Sequence, residues 1–293
     1  MMAVTFVAEV SSNHQRDLGR CLAFIDTAAA IGCRAVKFQL FKVRELFAPE
    51  VLEKREDLMR REAWELPAGF LPALSARCRE AGILFSCTPF YLAAVEELLP
   101  YVDFYKIASY ELLWDDLLRA CARTGKPVVL STGMADLGEI RGAVRTLADA
   151  GCRDLTLLHC VSGYPVPPEE CNLAAIETIR SSFRGSPFES FLRFGWSDHS
   201  AVPAVIHRAV HRWGAEMIEF HLDLEGRGEE FSPGHCWLPG QIRPVIESVQ
   251  VAFRTDGTGE KVPAPSERED REWRTDPEDG LRPLRGTREA LKP

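Results

Sequence analysis

The 293-residue chain sets 35 lysines and arginines against 43 aspartates and glutamates, a formal net charge of -8, with 46% hydrophobic residues. That acidic balance argues against nonspecific nucleic-acid binding, and no apolar run approaches the ~18 residues of a membrane span. The amino terminus enters a strand-like run at Val4-Thr5-Phe6 without the basic and apolar regions of a signal peptide, so the chain reads as cytoplasmic. Nine scattered cysteines, with no CxxC pair among them, suit neither a disulfide framework nor a zinc ribbon and read as small reduced residues.

In chain order, short apolar runs alternate with amphipathic helical stretches. Residues 5–10 are β-branched and aromatic, and residues 18–32 then show helical spacing up to Gly32, a left-handed stop of the kind glycine supplies. A second strand at 35–41 leads into a charged excursion over 45–61, read as a loop over the strand ends, and a helix over 67–82. Six further runs, 83–88, 104–109, 127–132, 155–160, 191–197 and 217–222, are separated by helices at 92–99, 115–124, 137–150, 173–183 and 202–213, with a last helix at 241–253. Gly125, Gly151 and Gly214 stand at three of the helix ends.

Eight βα units in this length predict a parallel (β/α)8 TIM barrel over residues 1–255, more readily than an open doubly wound sheet. No G-x-G-x-x-G follows the first strand, and Gly257-Thr258-Gly259-Glu260-Lys261 lacks the spacing of a phosphate-binding P-loop. Residues 256–293 turn to Pro, Gly, Arg and acidic residues without periodicity and are expected to form an irregular tail.

The carboxyl ends of barrel strands converge on one mouth. The residues ending the runs are Glu9, Lys37 with Gln39, Thr88, Lys106 with Ser109 and Glu111, Ser131 with Thr132, His159 with Tyr164, Ser197 with His199, and Glu219 with His221. A buried ammonium needs a counter-charge, so Lys37 and Lys106 call either for a bound anion or for ion pairs to Glu9 or Glu111. Ser109, Ser131 and Ser197 could donate to phosphate oxygens without adding charge. His199 and His221, at adjacent strand ends, fall within reach of one divalent metal acting as a Lewis acid on a carbonyl.

Six segments carry a resemblance in series: Ala8-Glu9-Val10-Ser11-Ser12-Asn13-His14, Val36-Lys37-Phe38-Gln39, Cys87-Thr88-Pro89-Phe90, Tyr105-Lys106-Ile107-Ala108-Ser109, Leu130-Ser131-Thr132-Gly133-Met134 and Ser197-Asp198-His199. Together they resemble the sialic acid synthase (N-acetylneuraminate synthase) family. The resemblance implies a barrel enzyme that condenses phosphoenolpyruvate with an open-chain sugar aldehyde, releasing phosphate and forming a 2-keto-3-deoxy sugar acid. By the same resemblance, Lys106, Ser109, Ser131 and Ser197 would bind phosphoenolpyruvate, with Lys37 and Thr88 lining its pocket. His199 and His221 would hold Mn2+ or Mg2+, and Glu9, Gln39, Glu111, Tyr164 and Glu219 would surround the metal, the sugar and the attacking water.

Two departures from the family pattern stand out. Ser232-Pro233-Gly234-His235 replaces a Gly-Pro-Asp-His segment, which removes an aspartate expected to contact the sugar, and the family's antifreeze-like carboxy-terminal domain is expected to be missing. The chemistry is therefore expected to persist while sugar recognition changes. The family's homodimer is compatible with this chain. A catalytically silent sugar-phosphate-binding barrel and another metal-dependent aldolase or lyase are the competing readings.

Overall fold

The computed structural model describes residues 4–291. Eight strands, β1 (Thr5–Glu9), β2 (Ala35–Leu40), β3 (Leu84–Pro89), β4 (Phe104–Ile107), β5 (Val128–Ser131), β6 (Leu155–Cys160), β7 (Leu192–Asp198) and β8 (Met217–His221), close into a barrel in sequence order, with β1 against β8. All pairings are parallel. Helices cross between successive strands, as a parallel sheet requires. This is the (β/α)8 TIM barrel that the alternation of runs predicts.

Local chemistry fixes the crossovers. Asp17 caps helix Leu18–Ala30 by accepting from Arg20 N–H, and Asp136 and Glu139 form a reciprocal capping box at the start of Leu137–Asp149. Gly125, Gly151 and Gly214 all adopt positive φ where their helices stop. The excursion after β2 is not a plain loop. It winds into short helical turns at Val43–Leu46, Pro49–Leu52 and Glu56–Met59, each one turn long, whose backbone groups would otherwise lack partners.

Because strand side chains alternate in direction, the barrel interior is stacked in layers that can be counted along the chain. The apolar floor comprises Val7, Ala35, Leu84, Phe104, Val129, Leu158 and Met217, with Gly195 of β7 filling the eighth place. Gly195 has no room for a side chain. A Cβ there would sit 2.3 Å from the Met217 carbonyl oxygen and 2.7 Å from Leu158 Cδ2. Gly195→Ala is expected to destabilise the barrel by about 1–3 kcal/mol through overpacking against backbone, measured as a lowered urea midpoint at unchanged slope.

Two compact units are present, divided between Val251 and Ala252 inside the helix Pro239–Thr255. The second is more ordered than an irregular tail. Its buried Asp276 accepts from the N–H groups of Arg285 and Glu278, tying the turn between the short helices Arg268–Glu272 and Arg285–Ala290. No helix among the described residues is long and apolar enough to cross a membrane.

Candidate active site

Two residues beyond each member of the apolar floor, and therefore on the same inward face, stand Glu9, Lys37, Ser86, Lys106, Ser131, Cys160, Ser197 and Glu219. Every one is buried. Two residues further on come Ser11, Gln39, Thr88, Ala108, Gly133, Ser162, His199 and His221. The barrel thus carries a polar layer with two carboxylates and two ammonium groups above its apolar floor, with a hydroxyl and imidazole layer at the mouth.

The lower layer is held by its own charges. Lys37 contacts Glu9 and lies 3.7 Å from Glu219 Oε2, while Lys106 lies 3.4 Å from Glu219 Oε1. The lysines are thus ion-paired with Glu9 and Glu219. Glu111 makes no such contact. The other oxygen of Glu9 accepts from Ser11 N–H at 2.7 Å and from Gln39 Nε2 at 3.2 Å. Burial disfavours the charged form of Lys37 and pulls its pKa down to about 8. Burial also opposes ionisation of Glu219, but Lys106 and Lys37 outweigh it and hold the carboxyl below the usual range. Glu111 goes the other way, pushed up to about 7 by burial.

Beside these charges lies a group of buried polar atoms without protein partners: Thr88 Oγ1, Ser131 Oγ, Ser162 Oγ and Glu111 Oε2. Ser109 Oγ accepts from Gly133 N–H at 2.9 Å, and a Cβ on Gly133 would come within 2.3 Å of Ser162 Oγ and 2.8 Å of Ser109 Oγ. Buried hydroxyls are rarely left unsatisfied, since each costs about 1–3 kcal/mol. The three hydroxyls lie on the same inward layers as the Lys37 and Lys106 ammonium groups, a set of donors suited to an anion.

The imidazoles form the other half of the site. His199 Nδ1 lies 2.8 Å from the Val161 carbonyl oxygen, so it donates there and leaves Nε2 free. His221 lies with its ring centroid 5.2 Å from that of His199, and its Nδ1 is 3.1 Å from Glu230 Oε2. Tyr164 packs at a tilt against His199, ring centroids 4.2 Å apart, and meets His221 and His235 edge-on. Burial keeps both His199 and His221 in the neutral, ligating form, with His199 lowered to about 3. These properties fit a divalent cation. The ligand atoms of His221, Glu230, His235 and Cys236 also lie within 4.8 Å of one another.

Of the predicted residues, the structure gathers Glu9, Lys37, Gln39, Lys106, Ser197 and Glu219 into one contact network, sets the His199 and His221 rings against each other, and buries Thr88, Ser131 and Glu111 in the barrel. Ser109 meets that interior through Gly133, and Tyr164 through His199. His159 does not belong to it. As an odd-numbered neighbour of Leu158 and Cys160 it turns to the outer face, where Nε2 meets the Cys171 carbonyl oxygen at 3.0 Å and the ring packs on Trp196. Asp198 is likewise structural, accepting from the indole N–H groups of Trp196 and Trp237 and from Ser200. Ser162, Glu230 and His235 are members of the site that strand-end reasoning did not pick out. Ser162 was reachable by counting in twos from Leu158, whereas Glu230 and His235 sit in the loop after β8, where no periodicity applies.

Low pH should uncover the buried histidines. His199 and His14, the latter lowered to about 4 by burial, are neutral when folded, yet titrate near pH ~6.5 when unfolded. Above that pH they cost nothing. As pH falls from about 6.5 toward 4.5, the unfolded chain takes up protons the folded one refuses, and stability should drop by about 1.4 kcal/mol per unit for each histidine. Urea midpoints of chelator-treated protein at pH 7 and 5 check this, and His14→Gln should flatten the slope.

The sequence matches the NeuB family over residues 24–261. It is 35% identical to the uncharacterized protein MJ1065 of Methanocaldococcus jannaschii over 90% of this chain and 75% of that one. It is 30% identical to the N,N'-diacetyllegionaminic acid synthase of Campylobacter jejuni, covering 91% of this chain and 81% of the relative. The fold superposes on the crystal structure of the N-acetylneuraminic acid synthetase of Leptospira borgpetersenii with a TM-score of 0.79 and 31% identity, covering 92% of this chain and 90% of that one.

Proposed function

Because the chain belongs to the NeuB family and is a condensing synthase by that membership, we propose that it joins phosphoenolpyruvate to the aldehyde of an open-chain sugar, giving a 2-keto-3-deoxy sugar acid and inorganic phosphate. The observation that carries this reading is the pairing of two chemistries in one barrel mouth. Two buried ammonium groups and three unpartnered hydroxyls come from β2 to β6 and the residues just after them, and two neutral imidazoles from the ends of β7 and β8.

In this reading Lys37, Lys106, Thr88, Ser109, Ser131 and Ser197 take the phosphate and carboxylate of phosphoenolpyruvate, and Ser162 adds a further hydroxyl. His199 and His221 would hold Mn2+ or Mg2+, which supplies Lewis acidity toward the aldehyde oxygen. C3 of phosphoenolpyruvate forms the new bond to the aldehyde carbon. Water adds at C2, and phosphate departs with the bridging oxygen from the tetrahedral intermediate. Gln39 and Tyr164 line the sugar side.

The proton of the attacking water needs a base; Lys106 and Lys37 hold the Glu219 carboxyl below the usual range, and Glu9 is in contact with Lys37. An anionic substrate arriving between Lys37 and Lys106 would take part of that positive charge from Glu219 and so raise its basicity on binding. Glu111, with its pKa near neutrality, is matched to exchanging protons at working pH.

Mass spectrometry over a panel of aldoses, with and without acylamino groups, tests the reading. A product equal to phosphoenolpyruvate plus aldose plus water minus phosphate is expected with at least one of them. No such product with any aldose, in the presence of Mn2+ or Mg2+, would defeat it.

A further inference from the structure

We propose that Glu230 is a positioning residue that fixes the tautomer of His221, so that this imidazole offers its Nε2 lone pair to a divalent cation. The proposal rests on the cation reading above. Glu230 belongs to neither strand layer and lies in the loop between β8 and Pro239–Thr255. Its carboxylate is nevertheless one of the most tightly held groups at the mouth. Oε1 accepts from Ser11 Oγ at 2.5 Å, Oε2 lies 3.1 Å from His221 Nδ1, and the same oxygen lies 3.7 Å from His235 Nε2.

The backbone of Glu230 is pinned as firmly. Its N–H donates to Asn13 Oδ1 at 2.9 Å, and its carbonyl accepts from Cys236 Sγ at 3.2 Å. The approach to it is braced by Asp223, which accepts from the N–H groups of Gly226, Arg227 and Gly228 and is itself paired with Arg20 at 2.8 Å. Gly228 allows this closure, since a Cβ there would stand 2.3 Å from Asn13 Oδ1 and 2.5 Å from Asp223 Oδ1. The loop is thus built to deliver one carboxylate to one imidazole edge.

The consequence follows from imidazole chemistry. A neutral imidazole carries one N–H, and a carboxylate at Nδ1 draws the proton there and bares Nε2. His199 reaches the same state differently, by donating Nδ1–H to the Val161 carbonyl. The carboxylate oxygens themselves are already engaged by a hydroxyl and an imidazole, so Glu230 acts from behind His221. Gly234, at φ +96° with nothing within 4 Å of its missing Cβ, brings no carboxylate to the loop at its own position.

Glu230→Gln keeps the shape and the Ser11 contact but can no longer hold the proton on Nδ1 by charge. Two readouts apply. In chelator-treated protein, long-range 1H–15N correlation should show His221 as the Nδ1–H tautomer in the wild type, with a substantial Nε2–H population in the variant. Titration with Mn2+ should show affinity weakened by about 10–100-fold, the usual cost of losing such a partner. Ser11→Ala, which frees only the far carboxylate oxygen, should weaken Mn2+ less and serves where Glu230→Gln folds poorly. Unchanged tautomer and unchanged affinity in both variants, beside a wild type that binds Mn2+, would overturn the positioning role alone. A wild type that takes up no Mn2+ would overturn the cation reading and this proposal with it.

Discussion

His221→Ala is expected to abolish turnover and to release the divalent cation, with Mn2+ affinity falling by at least about 100-fold, beyond the ~10–100-fold that loss of a supporting partner costs a metal site. His221 ends β8, where its main chain pairs with Glu9 and its ring stands 5.2 Å from His199. Removing one imidazole leaves the cation with a single protein nitrogen and mainly water, and it also strips Glu230 Oε2 of its imidazole partner at 3.1 Å. His199→Ala should behave alike, because its Nε2 is the other free nitrogen. Metal content and turnover after chelation and Mn2+ readdition provide the check. Full activity of both chelated variants would take the cation out of the reaction.

Lys106→Met should weaken phosphoenolpyruvate by about 10–100-fold, the equivalent of the ~1.5–3 kcal/mol attributed to a hydrogen bond with a charged group, while Mn2+ binding changes little. Lys106 is 2% exposed and stands above Phe104 of the apolar floor, so its charge cannot be replaced by water. Met fills nearly the same volume without the charge. Glu219 keeps Ser197 Oγ at 3.0 Å and Lys37 at 3.7 Å, which should let the barrel fold. Calorimetric titration of phosphoenolpyruvate and Mn2+ separates the two effects. Unchanged phosphoenolpyruvate affinity would reduce Lys106 to an ion-pair partner of Glu219.

The barrel was legible because eight apolar runs and the helices between them each carry a physical signature: β-branched strands, capped helices and glycines at helix ends. Within the strands the period of two does more than mark existence, as it places Glu9, Lys37, Lys106, Ser131, Ser197 and Glu219 on one inward layer. Reading the last polar residue of a run without that period misassigned His159, which faces the helices, and passed over Ser162, which continues the inward count from Leu158 and Cys160. The short turns after β2 and the Glu230 loop were not legible. Their conformations depend on distant partners, such as Glu65 accepting from Val43 N–H and Asn13 accepting from Glu230 N–H, and neither periodicity nor local propensity encodes a contact across 217 residues.

The central claim is that one barrel mouth binds an anionic enol phosphate and commits it to carbon–carbon bond formation with an aldehyde. Phosphate release from phosphoenolpyruvate, followed continuously at saturating Mn2+ with and without aldose, addresses it most directly. The account predicts release at background without aldose and release matching aldose consumption one for one when a substrate aldose is present. Release at the same rate whether or not any aldose is added would contradict it.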